Sequence, residues 1–292
     1  MARGAVRRCC LVFLAMLGVQ LLFVGLALAA EPEKIVQGHA ILTVAESKRL
    51  IGKAVAQMPI VKNALANGMV IIIKGTTNAY VAEEITGKKA DHAAFVTGRI
   101  EPPKAAKKLP AAQPVNHLIL EKGVPVDIPL LDAAKKLKAG DVVMKGANAL
   151  DYRNKLVGVD IADLAGGTTG ITLPYVIARK AHLVIPVGLE KLVAGDLVDL
   201  QRKMREPIES LNPCPFCTKA QGLQSMFMLE GEIVTELEAI NILTGATAFQ
   251  CSAGGVSGAE GGTWVVFRGT REQVSNALKL AESVQGEPPY TQ

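Results

Sequence analysis

Blocks of consecutive apolar residues alternate along this chain with stretches where apolar residues recur every three or four positions. An unbroken apolar run predicts a strand buried on both faces, and the 3.6-residue spacing predicts a helix with one apolar side. The clearest block, Met69-Val-Ile-Ile-Ile73, runs at once into Lys74-Gly75-Thr76-Thr77-Asn78 and a helix over Asn78–Ile85 that Gly87 closes. The second, Asp141-Val-Val-Met144, stops at Lys145-Gly146-Ala147-Asn148 and reaches Asp151. The third, Leu183–Val187, follows the turn Gly166-Gly167-Thr168-Thr169-Gly170 and a helix over Ile171–Ala181 with Pro174 in its first turn. Open α/β sheets bind ligands beyond strand ends of this kind, so the pattern predicts one cleft built from these turns.

The remaining pattern fills in around them. Glu31–Gly38 reads as a tether, and Thr43-Val-Ala-Glu46 is a capping box that opens a helix restarted by Pro59. Phe95–Ile100 is expected as a strand, 102–114 as an exposed loop, His117–Leu120 and Val124–Ile128 as a hairpin, and Leu130–Leu137 as a helix. Beyond Asp196 the chain turns charged and reaches Asn212-Pro-Cys-Pro215, which reads as a boundary. The last part gives strand Met226–Leu229, helix Val234–Thr244, strand Thr247–Cys251, a glycine-rich loop Gly254–Gly262, strand Trp264–Arg268 and helix Arg271–Val284 capped by Thr270. The expectation is an α/β protein. A mostly parallel open sheet with helices on both faces spans 38–200, a linker covers 201–224, and a small ferredoxin-like α+β domain covers 225–286.

Composition agrees. With 292 residues, 49% of them hydrophobic, the chain can bury a large core, and 4% aromatics with 28 glycines suit an α/β fold better than a sandwich. The formal charge is only +5, and Lys104, Lys107, Lys108, Lys135, Lys136 and Lys138 read as solvated faces without interleaved aromatics. No nucleic-acid partner is expected. Arg3, Arg7 and Arg8 precede an apolar run over Leu11–Ala30 ending in Ala27-Leu28-Ala29-Ala30, the form of a secretory signal over 1–30. Export to the periplasm or extracellular space follows, or anchoring by an uncleaved helix. Membrane contact is expected only there.

The segment Asp141–Leu192 resembles the superfamily of ribose-5-phosphate isomerase, methylthioribose-1-phosphate isomerase, the coenzyme A transferases and the sensor domains of sugar-phosphate-responsive repressors. The resemblance rests on Gly146-Ala147-Asn148, Gly167-Thr168, Ala178-Arg179-Lys180-Ala181 and the strand Leu183–Val187, with Lys74-Gly75-Thr76-Thr77-Asn78 matching a second family turn. It covers about half of the chain in two patches. The isomerases carry an acidic base after Gly-Ala where this chain has Asn148, and an amide takes no proton at neutral pH. The repressor sensors show Gly-Ala-Asn there, which implies binding without isomerisation. If the chain is an enzyme of the isomerase or transferase kind, Asp151 or Asp160 is the candidate base.

The residues themselves imply a small anionic ligand. Gly75 lets backbone approach a ligand, Thr76 and Thr77 offer hydroxyls, Lys74 adds charge, and helix N–H groups near Asn78 favour a phosphate or carboxylate. Thr77 as a mere helix cap is the plainer alternative. Gly146, Asn148, Asp151, Gly167, Thr168 and Thr169 complete the expected site, with no cofactor. A homo-oligomer built by edge-strand pairing is a structural alternative. Cys214-Pro-Phe-Cys217 resembles a glutaredoxin site locally, but residues 205–213 are not the buried strand such a site follows. As metal ligands the pair needs two more donors, from Cys251 and His39, His92, His117 or His182. A disulfide or thiol pair is the simplest reading, with Cys251 buried at a strand end and His117 and His182 satisfied structurally. Mass spectrometry under non-reducing conditions should find Cys214 bridged to Cys217; zinc in place of the bridge overturns that reading.

Overall fold

The computed structural model describes residues 34–96, 116–209, 211 and 224–290. The signal segment, most of the expected strand at 95–100, the loop at 102–114, and Cys214 and Cys217 lie outside them. The chain from Ile35 onward forms one compact unit.

Its centre is built from β2 (Met69–Ile72), β5 (Val142–Met144) and β8 (His182–Pro186), which pair in parallel in the order β8-β5-β2. Every residue of β2 and β5 is buried, as their unbroken apolar runs require. β10 (Glu232–Val234) adds in parallel beside β8, while the hairpin β3 (Leu118–Glu121) and β4 (Val124–Pro125) adds antiparallel beside β2, completing a six-stranded mixed sheet. Two helical groups cover it. The first joins α1 (Val44–Gln57), α3 (Thr76–Thr86) and α7 (Glu236–Thr244); the second joins α4 (Leu130–Lys136) and α5 (Gly167–Arg179). α2 (Pro59–Asn67) starts at the proline that ends α1, and the Thr43–Glu46 capping box forms as expected. Gly52 of α1 lies so close to Tyr80 of α3 that an added Cβ would sit 3.0 Å from its backbone.

Several elements depart from the sequence reading. The expected tether contains β1 (Val36–Leu42), which pairs antiparallel with β12 (Thr263–Gly269) along its whole length. Its burial alternates along the strand, but Gly38 and His39 break the apolar pattern in the sequence, so the strand signal is weak. The hairpin β6 (Ala149–Asp151) and β7 (Leu156–Ile161) was not anticipated; it forms a second sheet with β9 (Ser225–Leu229), on which α6 (Leu197–Met204) packs.

The ferredoxin-like module expected at 225–286 does not form a sheet of its own. Its strands are dispersed: β9 joins the β6-β7 hairpin, β10 joins the central sheet, and β11 (Thr247–Ala253) with β12 joins β1. The boundary expected around 201–224 therefore does not separate two folds. Local periodicity was right for α7, β11, β12 and α8 (Arg271–Val284), but pairing is decided by which edges lie nearby. Trp264 lies on the side of β12 away from the helix, 39% exposed and tilted against His39. Cys251 is likewise exposed and free, at an irregularity in the β11–β12 register. Among the described residues, no helix is long and apolar enough to cross a membrane.

One buried carboxylate ties the centre together. Asp141 Oδ1 accepts from the Met69 N–H at 2.7 Å, and Oδ2 accepts from the Lys138 N–H at 2.7 Å. Gly68 makes room for it, since a Cβ there would collide with Oδ1. Asp141→Ala strands two donors and should cost about 1–3 kcal/mol, read as a lower urea midpoint with an unchanged slope.

Candidate functional site: a cationic cavity at the strand ends

β2, β5 and β8 end at one rim, and the residues that follow them enclose a cavity of about 620 Å³. Lys74–Asn78 follow β2, Lys145–Asn148 follow β5, and Val187 and Gly188 follow β8. The end of β7 supplies Asp160, and the start of α5 supplies Gly167, Thr168 and Thr169. Thus Lys74, Gly75, Thr76, Thr77, Asn78, Gly146, Asn148, Gly167, Thr168, Thr169 and Asp160 all line one space.

Two helices begin at this cavity. α3 starts at Thr76 after Gly75, and no side chain caps it. Thr77 is therefore no N-cap, contrary to the plainer alternative. The N–H groups of Thr76, Thr77 and Asn78 precede the first helical bond, which runs from Ala79 N–H to Gly75 C=O at 2.9 Å. Gly75 sits at φ 174°, extended backbone open to any residue, and a Cβ there would meet nothing within 4 Å. Its lack of a side chain leaves room rather than permitting a special conformation.

α5 begins earlier than the sequence pattern indicated, at Gly167 instead of Ile171. The expected flexible turn is its first turn, made possible by Gly166 at φ 84°. Pro174 consequently lies inside the helix. Asp163 Oδ1 accepts from Gly167 N–H at 3.2 Å, leaving the Thr168 and Thr169 N–H groups directed at the helix mouth. The Thr169 hydroxyl is buried and has no partner.

Some site residues hold the rim in shape. Asn78 is fully buried, and its Nδ2 donates to the carbonyls of Ile73 at 2.7 Å and Met144 at 3.1 Å, clipping the end of β2 to that of β5. Its Oδ1 has no partner. Asn148 donates its N–H to Gly158 C=O at 2.8 Å and accepts at Oδ1 from the Asp160 N–H at 3.1 Å. It thereby fixes Asp160 at the cavity wall and keeps its own Nδ2 as a donor.

Asp151 does not line the cavity. Its carboxylate accepts from the backbone N–H of Asn154 at 3.0 Å and from Asn154 Nδ2 at 2.8 Å, bonds that hold it below the usual carboxylate range. It shapes the β6–β7 turn and is unsuited to be a base. Asp160 differs: burial raises its carboxyl, while a hydrogen bond from Gln224 partly offsets that rise.

Cations dominate the lining: Lys48, Lys74, Lys145 and Lys191 face Asp160 and Asp163. Lys48 from α1, Lys191 and Tyr290 escaped the sequence reading, because nothing local marks a lysine in an amphipathic helix or a tyrosine near the C-terminus. Tyr290 stacks on His92 with centroids 4.5 Å apart, and His92 meets Glu83 at 3.1 Å. Burial lowers both Lys74 and Lys145, the latter to about 8. His117 abuts this cluster and accepts the Lys74 N–H at Nδ1, 3.1 Å away. Burial first, then the charges of Lys74 and Lys145, push it down to about 4. His182 Nδ1 lies 3.2 Å from Glu232. Among the described residues, no group of three or more His, Cys, Asp or Glu could hold a metal ion.

No family model, curated protein or solved structure matches this chain. The chemistry of the site rests on its own residues.

His117 makes stability pH-dependent in a defined direction. Its folded pKa of about 4 lies below the unfolded value of about 6.5, so the unfolded chain binds the proton first. Its contribution is complete above about pH 6.5 and disappears as pH falls towards 4. Urea unfolding at pH 7 and pH 4 should show a smaller acid loss in His117→Gln than in the natural protein; an equal loss excludes this histidine as the cause.

Proposed function

We propose that this is an exported protein that binds or senses a small anionic molecule, with a phosphate or carboxylate as the recognised group. The observation that carries the reading is the convergence of two helix starts on one lysine-rich cavity: α3, which no side chain caps, and α5, where Asp163 takes only the first N–H. Each start offers unpaired N–H donors and the positive end of a helix dipole. Lys74 and Lys145 add charge, and the buried Thr169 hydroxyl, without a protein partner among the described residues, adds a donor. Such an arrangement binds an anion without needing metal. Export is drawn from the arginine-led apolar run at 1–30. The likeness to the sugar-phosphate-sensor branch points the same way, because Asn148 stands where the isomerases have an acid.

An isomerase- or transferase-like enzyme is the second reading, favoured by one feature: Asp160 is a carboxyl raised by burial in the cavity wall. It is the base candidate in place of Asp151.

Thermal unfolding with inorganic phosphate and with sugar phosphates tests the binding reading. Saturation at about a hundred times Kd should add about 2.7 kcal/mol of stability and raise Tm. Gly75→Leu, which the extended backbone accepts, fills the space in front of α3 and should remove the shift. No shift in the natural protein, or an undiminished one in the variant, sinks the proposed anion seat.

A further inference from the structure

Lys145 stands apart from the other cations of the cavity. Lys48 faces Glu190 at 3.8 Å, whereas Lys145, like Lys74 and Lys191, has no carboxylate partner among the described residues; what sets Lys145 apart is its place on the central strand of the rim. Its backbone is fixed, because its N–H donates to Val184 C=O at 3.0 Å and so locks the end of β5 against β8. β5 is the central strand of the three that end at the rim, between the chain that enters α3 and the chain that leaves β8. The side chain therefore rises from the middle of the cavity floor. Lys74 and His117 flank it, and both Lys74 and Lys145 are close enough to repel a proton from His117. Asp160 occupies the wall of the same cavity.

Lys145 is half-buried, and the loss of water around its ammonium disfavours the charged form. A desolvated lysine without an acidic partner is a nucleophile, because a useful share of it is neutral near pH 7. We propose that Lys145 forms an imine with a ligand that carries both an anionic group and an aldehyde or ketone carbonyl. The proposal rests on the anion-binding reading: the helix starts seat the phosphate or carboxylate, and the carbonyl reaches Nζ.

The step balances without a co-reactant. The Nζ lone pair attacks the carbonyl carbon, a C–N bond forms, and the C=O pair moves to oxygen. The nitrogen loses a proton and the oxygen gains one, giving a carbinolamine. The hydroxyl leaves as water on receiving a proton, for which the carboxyl of Asp160 is the donor in this cavity; the nitrogen pair closes the C=N bond, and the N–H proton of the iminium so formed returns to the Asp160 carboxylate. One carbonyl and one amine give one imine and one water. Held at about 8, the lysine reaches its reactive neutral form well below the pH an ordinary lysine needs.

The test is trapping. The full-length protein is incubated with dihydroxyacetone phosphate or with pyruvate, reduced with cyanoborohydride, digested and mapped by mass spectrometry. The expected result is one adduct, on Lys145, that inorganic phosphate suppresses and whose rate of formation levels off above about pH 8. Lys145→Arg, which keeps the charge and is checked for folding by circular dichroism, loses the adduct. Adducts spread over surface lysines, or none at all, while phosphate still raises Tm in the natural protein, overturn the imine and leave the binding reading standing. Absence of any phosphate shift overturns the binding reading itself.

Discussion

A single buried amide keeps the rim of the central sheet in register. Where β2 stops, the buried Ile73 carbonyl has no backbone partner among the described residues, and an unpaired buried carbonyl is costly. The Nδ2 group of Asn78 donates to it and also to Met144 C=O, which already accepts from the Ile73 N–H at 3.0 Å, so one amide joins the two strand ends. Because Asn78 is also in the first turn of α3, the same contact fixes where that helix starts. The direction of its free N–H groups, the course of Lys74–Thr77 and the width of the cavity all follow from this clip. An asparagine first read as a ligand contact is thus chiefly a structural one, and it fixes the course of its neighbours along the cavity.

Asn148 repeats the logic one strand further on. Its side chain accepts from the Asp160 N–H and so joins the loop after β5 to the end of β7. The second sheet is thereby held over the rim of the first, which closes the cavity from above and brings Asp160 to its wall. At the opposite end of the central strands, Asp141 joins the start of β2 to the loop before β5. Polar side chains therefore tie both ends of a core whose middle is apolar, and the cations fill the space that remains. Four lysines around one cavity repel each other, a cost that an anion placed among them would relieve.

Much of this was legible from local pattern. Unbroken apolar runs found β2, β5 and β8, because a strand covered on both faces has no polar side to show. The Thr43 and Thr270 caps found α1 and α8, because capping is decided within four residues. The strand-to-glycine turns at Lys74–Asn78 and Lys145–Asn148 identified the rim, because parallel strands direct their ends the same way. What the pattern misjudged was short or remote: β1 hidden by Gly38, the three-residue strand β6, and the start of α5, which Gly166 in a left-handed conformation moves into the glycine-rich turn.

By itself, then, the sequence determined the central strands, most helix limits and the residue types at the strand ends, since each depends on neighbours within a few positions. Only tertiary structure decided partnership. The βαββα pattern at the C-terminus was read correctly as elements apart from β10, and wrongly as a module: β11 and β12 pair with each other, but the other edge of β12 takes β1 and β9 goes to β7, because an edge strand pairs with whatever edge is near. The same holds for chemistry. Asp151 and Asp160 are both aspartates near a turn, yet hydrogen bonds to Asn154 hold one down and burial raises the other. The donors to Asp151 lie three residues on in its own turn, but the burial of Asp160 comes from residues far apart in the chain, so no local reading could have told the two carboxylates apart.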